Sequence, residues 1–385
     1  MSVTDQLDRL AAFEPAPYPV VSLYLNTQSG STGKDQFETF VRKEFAARRE
    51  AYPANSPDRE HLERDFEAIT EYLQTELEPS ANGVAIFACS AGELFETVQL
   101  TAPIEQHWLF IGDRPHLYPL ARLESKYPRY AAVLADTHSS RILVFATGEL
   151  VTEQEVKGVK TRRTSQGGWS QARFQRHIEN FHLQHVKELI EALEQVVQRE
   201  GIDEILLAGD DVVIPLVREQ MPKHLADKVV DHMRIDTNAA VHEVLSASLE
   251  AMNRVRAQSE REKVEAAVGA YRAGGLGVVG PEPTLDALLK GQVDELLLAS
   301  SLRELQAVAG ARARGVAEAN DAAPAEPATG IATAGEAAEA PSGAVQLADE
   351  LVTRATQTGA KITFVEDAAL LAEYGGVAAL LRFRI

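Results

Sequence analysis

Residues 156–178 read VKGVKTRRTSQGGWSQARFQRHI. On their N-terminal side lie apolar runs with the short spacing of antiparallel strands: Tyr130–Asp136, Arg141–Thr147 and Glu149–Val156. On their C-terminal side, Ala172–Glu200 has helical spacing, Glu204–Ala208 is a short apolar strand, a helix follows near Val213–Gln220, and Val229–Ile235 reads as another strand. The segment therefore marks the point where hairpins give way to helix–strand alternation around one sheet.

The segment is also chemically distinct. It holds Lys157, Lys160, Arg162, Arg163, Arg173 and Arg176, together with His177, and no Asp or Glu. The whole chain of 385 residues carries −19, so the remainder carries −25. A uniformly acidic surface repels nucleic acid and anionic membranes, so any contact with RNA must be local. Phosphate is the natural counter-ion of this run, and arginine can bind it bidentately.

Gly167 and Gly168 remove two Cβ atoms from the middle of the run, which allows positive φ and close approach of backbone to a ligand. Backbone N–H groups there can face a developing oxyanion. Trp169 can stack on a base, and Gln171 can hold a water or a ribose hydroxyl. Arg173 and Arg176 stand three residues apart near the start of the expected helix, where the dipole favours anions. The plainer alternative is a basic loop that merely precedes a helix.

The rest of the chain divides around this region. Residues 1–124 read as an α+β domain: a strand at Val20–Leu25, helices at Asp35–Glu50 and Asp58–Leu77, a hairpin at Gly83–Cys89 and Leu94–Leu100, and a second pair of strands at His107–Ile111 and Leu117–Leu123. Residues 125–238 form the middle domain. Residues 239–385 read as an α/β sandwich: a long helix holding Val244, Leu249 and Val255, then Thr284–Lys290, Glu295–Ala299, Ala344–Thr358, Lys361–Val365 and Ala378–Arg384. Gly274–Gly280 reads as a turn. Residues 310–343, rich in Ala, Pro, Glu and Gly without an aromatic, read as a disordered insertion.

Some functions are disfavoured. A single cysteine, Cys89, leaves no intrachain disulfide and fits a reducing cytoplasm. The first fifteen residues lack a signal-peptide pattern, and no apolar run is long enough to span a membrane. No cofactor is implied. Asp136, Asp210 and Asp211 follow apolar strands and offer either a two-magnesium nuclease site or turn and helix caps. His177, His182 and His185 fall on one helix without a matching ligand set, so they read as solvent- or RNA-facing and no metal site is expected.

Gly167-Gly168-Trp169-Ser170-Gln171-Ala172-Arg173-Phe174 resembles the catalytic loop of the archaeo-eukaryotic class I peptide chain release factors and the related Pelota proteins, where Gly-Gly-Gln-Ser is followed shortly by Arg-Phe. Val21–Leu25 (VSLYL) resembles the opening strand of that family, Ala287–Leu298 (ALLKGQVDELLL) its C-domain helix–strand pattern, and Gly375–Arg382 its closing strand. The nearest likeness is to the bacterial and archaeal branch, which includes Balon-like members.

The resemblance implies a ribonuclease-H-like middle domain and a C-domain like the kink-turn-binding ribosomal proteins. It also implies a site on the ribosome next to tRNA, with a translational GTPase as a further candidate partner. The implied reaction is hydrolysis of the peptidyl-tRNA ester, with Gly167, Gly168, Trp169 and Gln171 at the reacting end and the basic residues on RNA. Two departures stand out. Trp169 occupies the family's glutamine position. The codon-reading motifs are missing: residues 50–57 read EAYPANSP where the family has Asn-Ile-Lys-Ser, and Phe110, Gly112 and His116 stand where it has Tyr, Cys and Phe. These departures point to codon-independent action, as in ribosome rescue or hibernation factors. They leave open hydrolysis, non-catalytic protection of idle ribosomes and, as a third class, magnesium-dependent RNA cleavage.

Overall fold

A computed structural model of the chain describes residues 3–14, 18–28, 36–100, 102–137, 139–146, 148–157, 171–210, 212–301, 305 and 342–384, with backbone alone for 36, 171–179 and 342. The insertion read at 310–343 lies almost wholly outside these residues. The chain forms two compact units: Met1–Lys126 together with Ser259–Ile385, and Tyr127–Gln258. The first and last of the three expected segments thus share one unit, and the divisions fall at 126/127 and 258/259.

The first unit contains two sheets. In one, β1 (Val20–Asn26), β2 (Gly83–Cys89), β3 (Leu94–Leu100) and β4 (Trp108–Gly112) run antiparallel in the order β3-β2-β1-β4. β1 and β2 are central and buried on both faces. Val21, Leu23 and Leu25 meet Phe45, Phe66 and Ile69 of α2 (Gln36–Ala51) and α3 (Pro57–Thr75). Tyr24 and Phe87 turn to the other side. Burial on both faces explains why VVSLYL lacks polar alternation.

That other side is a core shared with the C-terminal part. Tyr24, Phe87, Leu117 and Leu120 join Leu288, Leu296, Leu298, Leu351 and Phe364 in one cluster. The second sheet, in the order β10-β13-β11-β12, comprises β10 (Gly277–Val279), β11 (Val293–Ala299), β12 (Lys361–Val365) and β13 (Val377–Leu381). Helices α9 (Pro281–Leu289) and α10 (Ser342–Gln357) supply residues to the shared cluster, while Val264, Ala267 and Val268 of α8 (Val241–Arg272) cover the opposite face.

Three local expectations change. Leu117–Leu123 is not a strand but most of a helix, α4 (Tyr118–Lys126). Leu117, Leu120 and Ala121 are buried at helical spacing. The cap of this helix comes from far away: Asp349 of α10 accepts hydrogen bonds from the Leu117 and Tyr118 amides at 2.6 and 3.2 Å. No nearby residue announces it. An unexpected first helix, α1 (Val3–Ala11), buries Leu7, Leu10 and Ala11 in the same core. Within the glycine run read as a turn, residues 277–279 form β10, and a Cβ on Gly277 would stand 2.3 Å from the Ala267 carbonyl oxygen.

The second unit is built on one five-stranded sheet. Its strands are β5 (Tyr130–Ala135), β6 (Ser139–Ala146), β7 (Glu149–Lys157), β8 (Glu204–Gly209) and β9 (Val229–Met233), in the order β7-β6-β5-β8-β9. β5–β6 and β6–β7 are antiparallel, whereas β5–β8 and β8–β9 are parallel. α5 (Gln171–Glu200), α6 (Val213–Gln220) and the short α7 (Lys223–Ala226) pack on one face, and the first part of α8 packs on the other. β8 closes against β5 at Gly209, where φ is 151° and an added Cβ would lie 1.9 Å from the Ala135 oxygen. Only glycine fits there.

These contacts have measurable consequences. Asp349→Ala strands the α4 amides, and the unfolding free energy in urea is expected to fall by about 2 kcal/mol; an unchanged midpoint would refute the capping role. Burial pushes the Tyr130 phenol up to about 12, with its 2.6 Å hydrogen bond to Ser248 and the Arg256 charge acting in the opposite direction. The neutral phenol is thus favoured in the folded state. Its stabilisation is complete below the ordinary tyrosine pKa near 10 and is lost as pH rises through about 12, a decline of about 2 to 3 kcal/mol. Denaturant titrations across that window are expected to show the decline in wild type and to lack this component in Tyr130→Phe.

Candidate functional site

The acid-free segment is bracketed by two described elements. β7 lies at the edge of its sheet and alternates exposed and half-buried residues along its whole length. Its last residue is Lys157. The Lys157 ammonium is solvent-exposed and lies 2.9 Å from the Glu155 carboxylate, whose hydrogen bond holds the lysine above, and the glutamate below, their ordinary pKa values. The other bracket is α5, which begins at Gln171. Arg173, Arg176 and His177 therefore belong to its first two turns, where unpaired amides and the helix dipole favour anions. Lys160, Arg162, Arg163, Gly167, Gly168 and Trp169 lie outside the described residues.

Both brackets are anchored firmly. Val156 packs on the core containing Val186, Leu189 and Leu193 of α5. Within β7, the Thr152 hydroxyl donates to Glu200, the last residue of α5, at 3.3 Å. Beneath them lies a buried polar pair, Ser140 of β6 and His185 of α5, with Oγ and Nε2 3.0 Å apart. His185 is only 2% exposed, so it is not the solvent- or RNA-facing side chain expected from the sequence. Its period on the helix matches Val186, Leu189 and Leu193, which was the available signal. His182 is half-buried on the same helix.

The carboxylates at the strand ends serve as caps. Asp136 accepts hydrogen bonds from the Ser139 amide at 2.7 Å, the Ser139 hydroxyl at 3.0 Å and the Thr237 hydroxyl at 3.0 Å. Asp210 accepts from the Val212 and Val213 amides at 2.5 and 3.3 Å. Asp211 lies outside the described residues. Among those described, no three His, Cys, Asp or Glu side chains come together as a metal-binding group. The arrangement gives the turn and cap reading a direct geometric basis.

In the first unit, the positions compared with codon-reading residues are tied into structure. The His116 ring lies 3.8 Å from that of Phe110 and is 6% exposed, with Nδ1 3.2 Å from Asp349. Its amide donates to the Ser22 hydroxyl at 3.0 Å, and its carbonyl accepts from the Tyr24 hydroxyl at 2.5 Å. Burial chiefly, and the Asp349 charge next, raise the Tyr24 pKa. The link between α2 and α3 is short: Ser56 caps α3 through the Arg59 amide, and the Arg59 guanidinium also donates to the Tyr52 carbonyl. Sequence reasoning could not find the Asp349 centre, because its partners lie more than two hundred residues apart.

Residues 115–253 match the family model described as bacterial archaeo-eukaryotic release factor family 10. Residues 257–385 match the model of eRF1 domain 3. No curated protein matches the chain. Similar solved structures include an archaeal translation termination factor, aRF1, at 17% identity and TM-score 0.26, covering 99% of this chain and 98% of that one. Another is ribosome-bound archaeal Pelota, described together with ABCE1, at 14% identity and TM-score 0.40, covering 99% and 94%. S. cerevisiae Dom34, described as a termination-like factor that interacts with Hbs1, has 11% identity and TM-score 0.41, covering 79% of each chain.

Ser140→Ala is expected to leave His185 with two unbonded ring nitrogens in the core and to lower the unfolding free energy by about 2 kcal/mol. Asp136→Ala removes the acceptor of a turn and is expected to cost about 1 kcal/mol. Chemical denaturation followed by circular dichroism measures both. EDTA-sensitive RNA cleavage that disappears in Asp136→Ala would instead assign this carboxylate to a magnesium site.

Proposed function

We propose that this chain, which belongs to the archaeo-eukaryotic release factor-like superfamily, is a ribosome-associated factor that acts at the A site independently of the codon and hydrolyses the peptidyl-tRNA ester. The observation that carries the reading is the acid-free basic segment 156–178, held between an edge strand and the start of a long helix in an otherwise acidic chain. Ribosomal RNA and tRNA are its partners. A translational GTPase is a further partner of the proposal, and its place of action is the cytoplasm.

Several features support the parts of this reading. The strand order β7-β6-β5-β8-β9, three antiparallel strands followed by two parallel ones, fits a ribonuclease-H-like middle domain. The C-terminal sheet with helices on both faces fits a domain like the kink-turn-binding ribosomal proteins. Codon independence is supported by the tie between His116 and Asp349 and by the short α2–α3 link.

In the reaction, the water oxygen bonds to the ester carbonyl carbon. The bond from that carbon to the tRNA ribose oxygen breaks, and one water proton ends on the ribose hydroxyl and the other on the released acid. Gly167 and Gly168 let the backbone approach, and its amides can meet the oxyanion. Gln171 is the side chain proposed to orient the water or ribose hydroxyl. Trp169 stacks on the tRNA end. Lys157, Lys160, Arg162, Arg163, Arg173, Arg176 and His177 face phosphate. No cofactor is required.

One observation favours a second reading. An indole donates a single N–H and accepts none, so Trp169 cannot reproduce an amide at the family's glutamine position. On this reading the chain occupies and protects idle ribosomes without hydrolysis.

Purified chain added to ribosomes carrying labelled peptidyl-tRNA distinguishes the two. The expected result is peptide release that does not vary with the A-site codon and falls at least tenfold in Gly167→Ala/Gly168→Ala. Co-sedimentation with ribosomes without release supports protection and removes the hydrolase assignment. Failure to co-sediment at low salt overturns both.

A further inference from the structure

We propose that Arg218, His232 and Arg234 form a second RNA-phosphate contact on the opposite edge of the sheet from the basic segment. The inference rests on the reading of residues 156–178 as RNA-binding and extends it to residues far from that segment.

The arrangement begins with a contact between a guanidinium and an imidazole. Arg218 Nη2 of α6 lies 3.3 Å from Nδ1 of His232 on β9. His232 pairs with Leu207 of β8, and Leu207 belongs to the face covered by α5 and α6. The ring is therefore presented where α6 can reach it. A neutral imidazole accepts through Nδ1 and holds the guanidinium in place, while the remaining Arg218 donors stay available. Arg234 follows two residues after His232 and is exposed.

Glu219 follows Arg218 without forming an ion pair with it among the described residues, and Asp236 accepts from the Asn238 amide and side chain. Several arginines elsewhere in the chain turn to carboxylates, as Arg9 does to Glu96, Arg49 and Arg59 to Glu63, and Arg64 to Glu60. Asp231, which precedes His232, pairs with Leu206, a residue of the opposite face, and meets Arg254 there. Among the described residues neither Arg218 nor Arg234 forms an ion pair. In a chain of net charge −19, two arginines that form no ion pair among the described residues and one histidine make a candidate anion contact.

Strand direction relates this site to the basic segment. β7 runs antiparallel to β6, and β6 antiparallel to β5, so β7 has the direction of β5, β8 and β9. Lys157 ends β7 and Arg234 follows β9, so both leave the same end of the sheet. Four strand spacings separate these edges, about 19 Å at ~4.8 Å each. A phosphodiester backbone can span that distance, whereas a single phosphate cannot. An RNA strand crossing this end of the sheet would meet positive charge at both edges.

The test is fluorescence anisotropy with a labelled short oligouridylate, titrated over a range of salt. The proteins compared are the full wild-type chain, Arg218→Ser/Arg234→Ser, Arg218→Lys/Arg234→Lys and Arg162→Ser/Arg163→Ser. The serine pair at 218 and 234 is expected to bind several-fold more weakly at low salt. Its plot of log affinity against log salt should lose about 0.7 in slope for each phosphate contact removed. The lysine pair keeps the charge and is expected to retain most of the binding, which separates loss of charge from loss of fold.

Unchanged affinity and slope in the serine pair, with weakening confined to Arg162→Ser/Arg163→Ser, overturn this site and leave the reading of the basic segment intact. No binding by wild type overturns both. Loss in the lysine pair equal to that in the serine pair also overturns the charge assignment. If a poly-glutamate peptide displaces the oligonucleotide from wild type but not from the serine pair, the site belongs to an acidic protein and the RNA assignment fails.

Discussion

Asp349 lies on α10 and accepts hydrogen bonds from the amides of Leu117 and Tyr118, at the start of a helix in the opposite part of the chain. The same carboxylate stands beside His116. A helix begins with unpaired N–H groups, and burying them without acceptors is unfavourable. Here the acceptor exists only when the two ends of the polypeptide have come together. Around that point, the Tyr118 hydroxyl donates to the Ser300 carbonyl at 2.8 Å, and the Gln357 amide donates to the Ala11 carbonyl at 2.7 Å. Leu120, Leu288 and Leu351 fill the cluster that joins the ends. The start of α4 and the contact between residues 1–126 and 259–385 thus share one half-buried carboxylate.

The second unit is organised differently, and the difference bears on function. Its central strands β5 and β8 are buried on both faces and supply no exposed chemistry. What is available to a partner lies at the edges and at the ends of strands. The pair of Ser140 and His185 fixes α5 to the sheet within the core, so the first turns of that helix extend from a braced base.

Much of this was legible in the sequence, and the misses have physical causes. The runs VVSLYL and EILLA are too apolar for a one-sided strand, and both prove to be buried on two faces. The helix of Ala172–Glu200 followed from spacing alone. Leu117–Leu123 failed as a strand because the acceptor that starts its helix sits at Asp349, and a window of local sequence cannot contain it. His185 failed because histidine carries a weak prior for burial; its hydroxyl partner, Ser140, lies on another element. The chemistry of the basic segment was the most legible feature of all. Composition alone separates six cations from the acids of the rest.

That separation has a consequence for selectivity. A chain whose remainder carries −25 meets a polyanion with repulsion over most of its surface. On the proposed reading, attraction is confined to orientations in which local positive charge arrives first. Bulk RNA offers phosphate in every direction, yet most approaches place acids against it. An acidic body with a small basic contact therefore favours a target that presents phosphate inside a shaped recess, where the rest of the protein need not face RNA closely. The penalty for open RNA grows as salt is diluted and screening weakens. Discrimination should accordingly be sharpest at low ionic strength, the condition under which a uniformly basic protein binds RNA most indiscriminately.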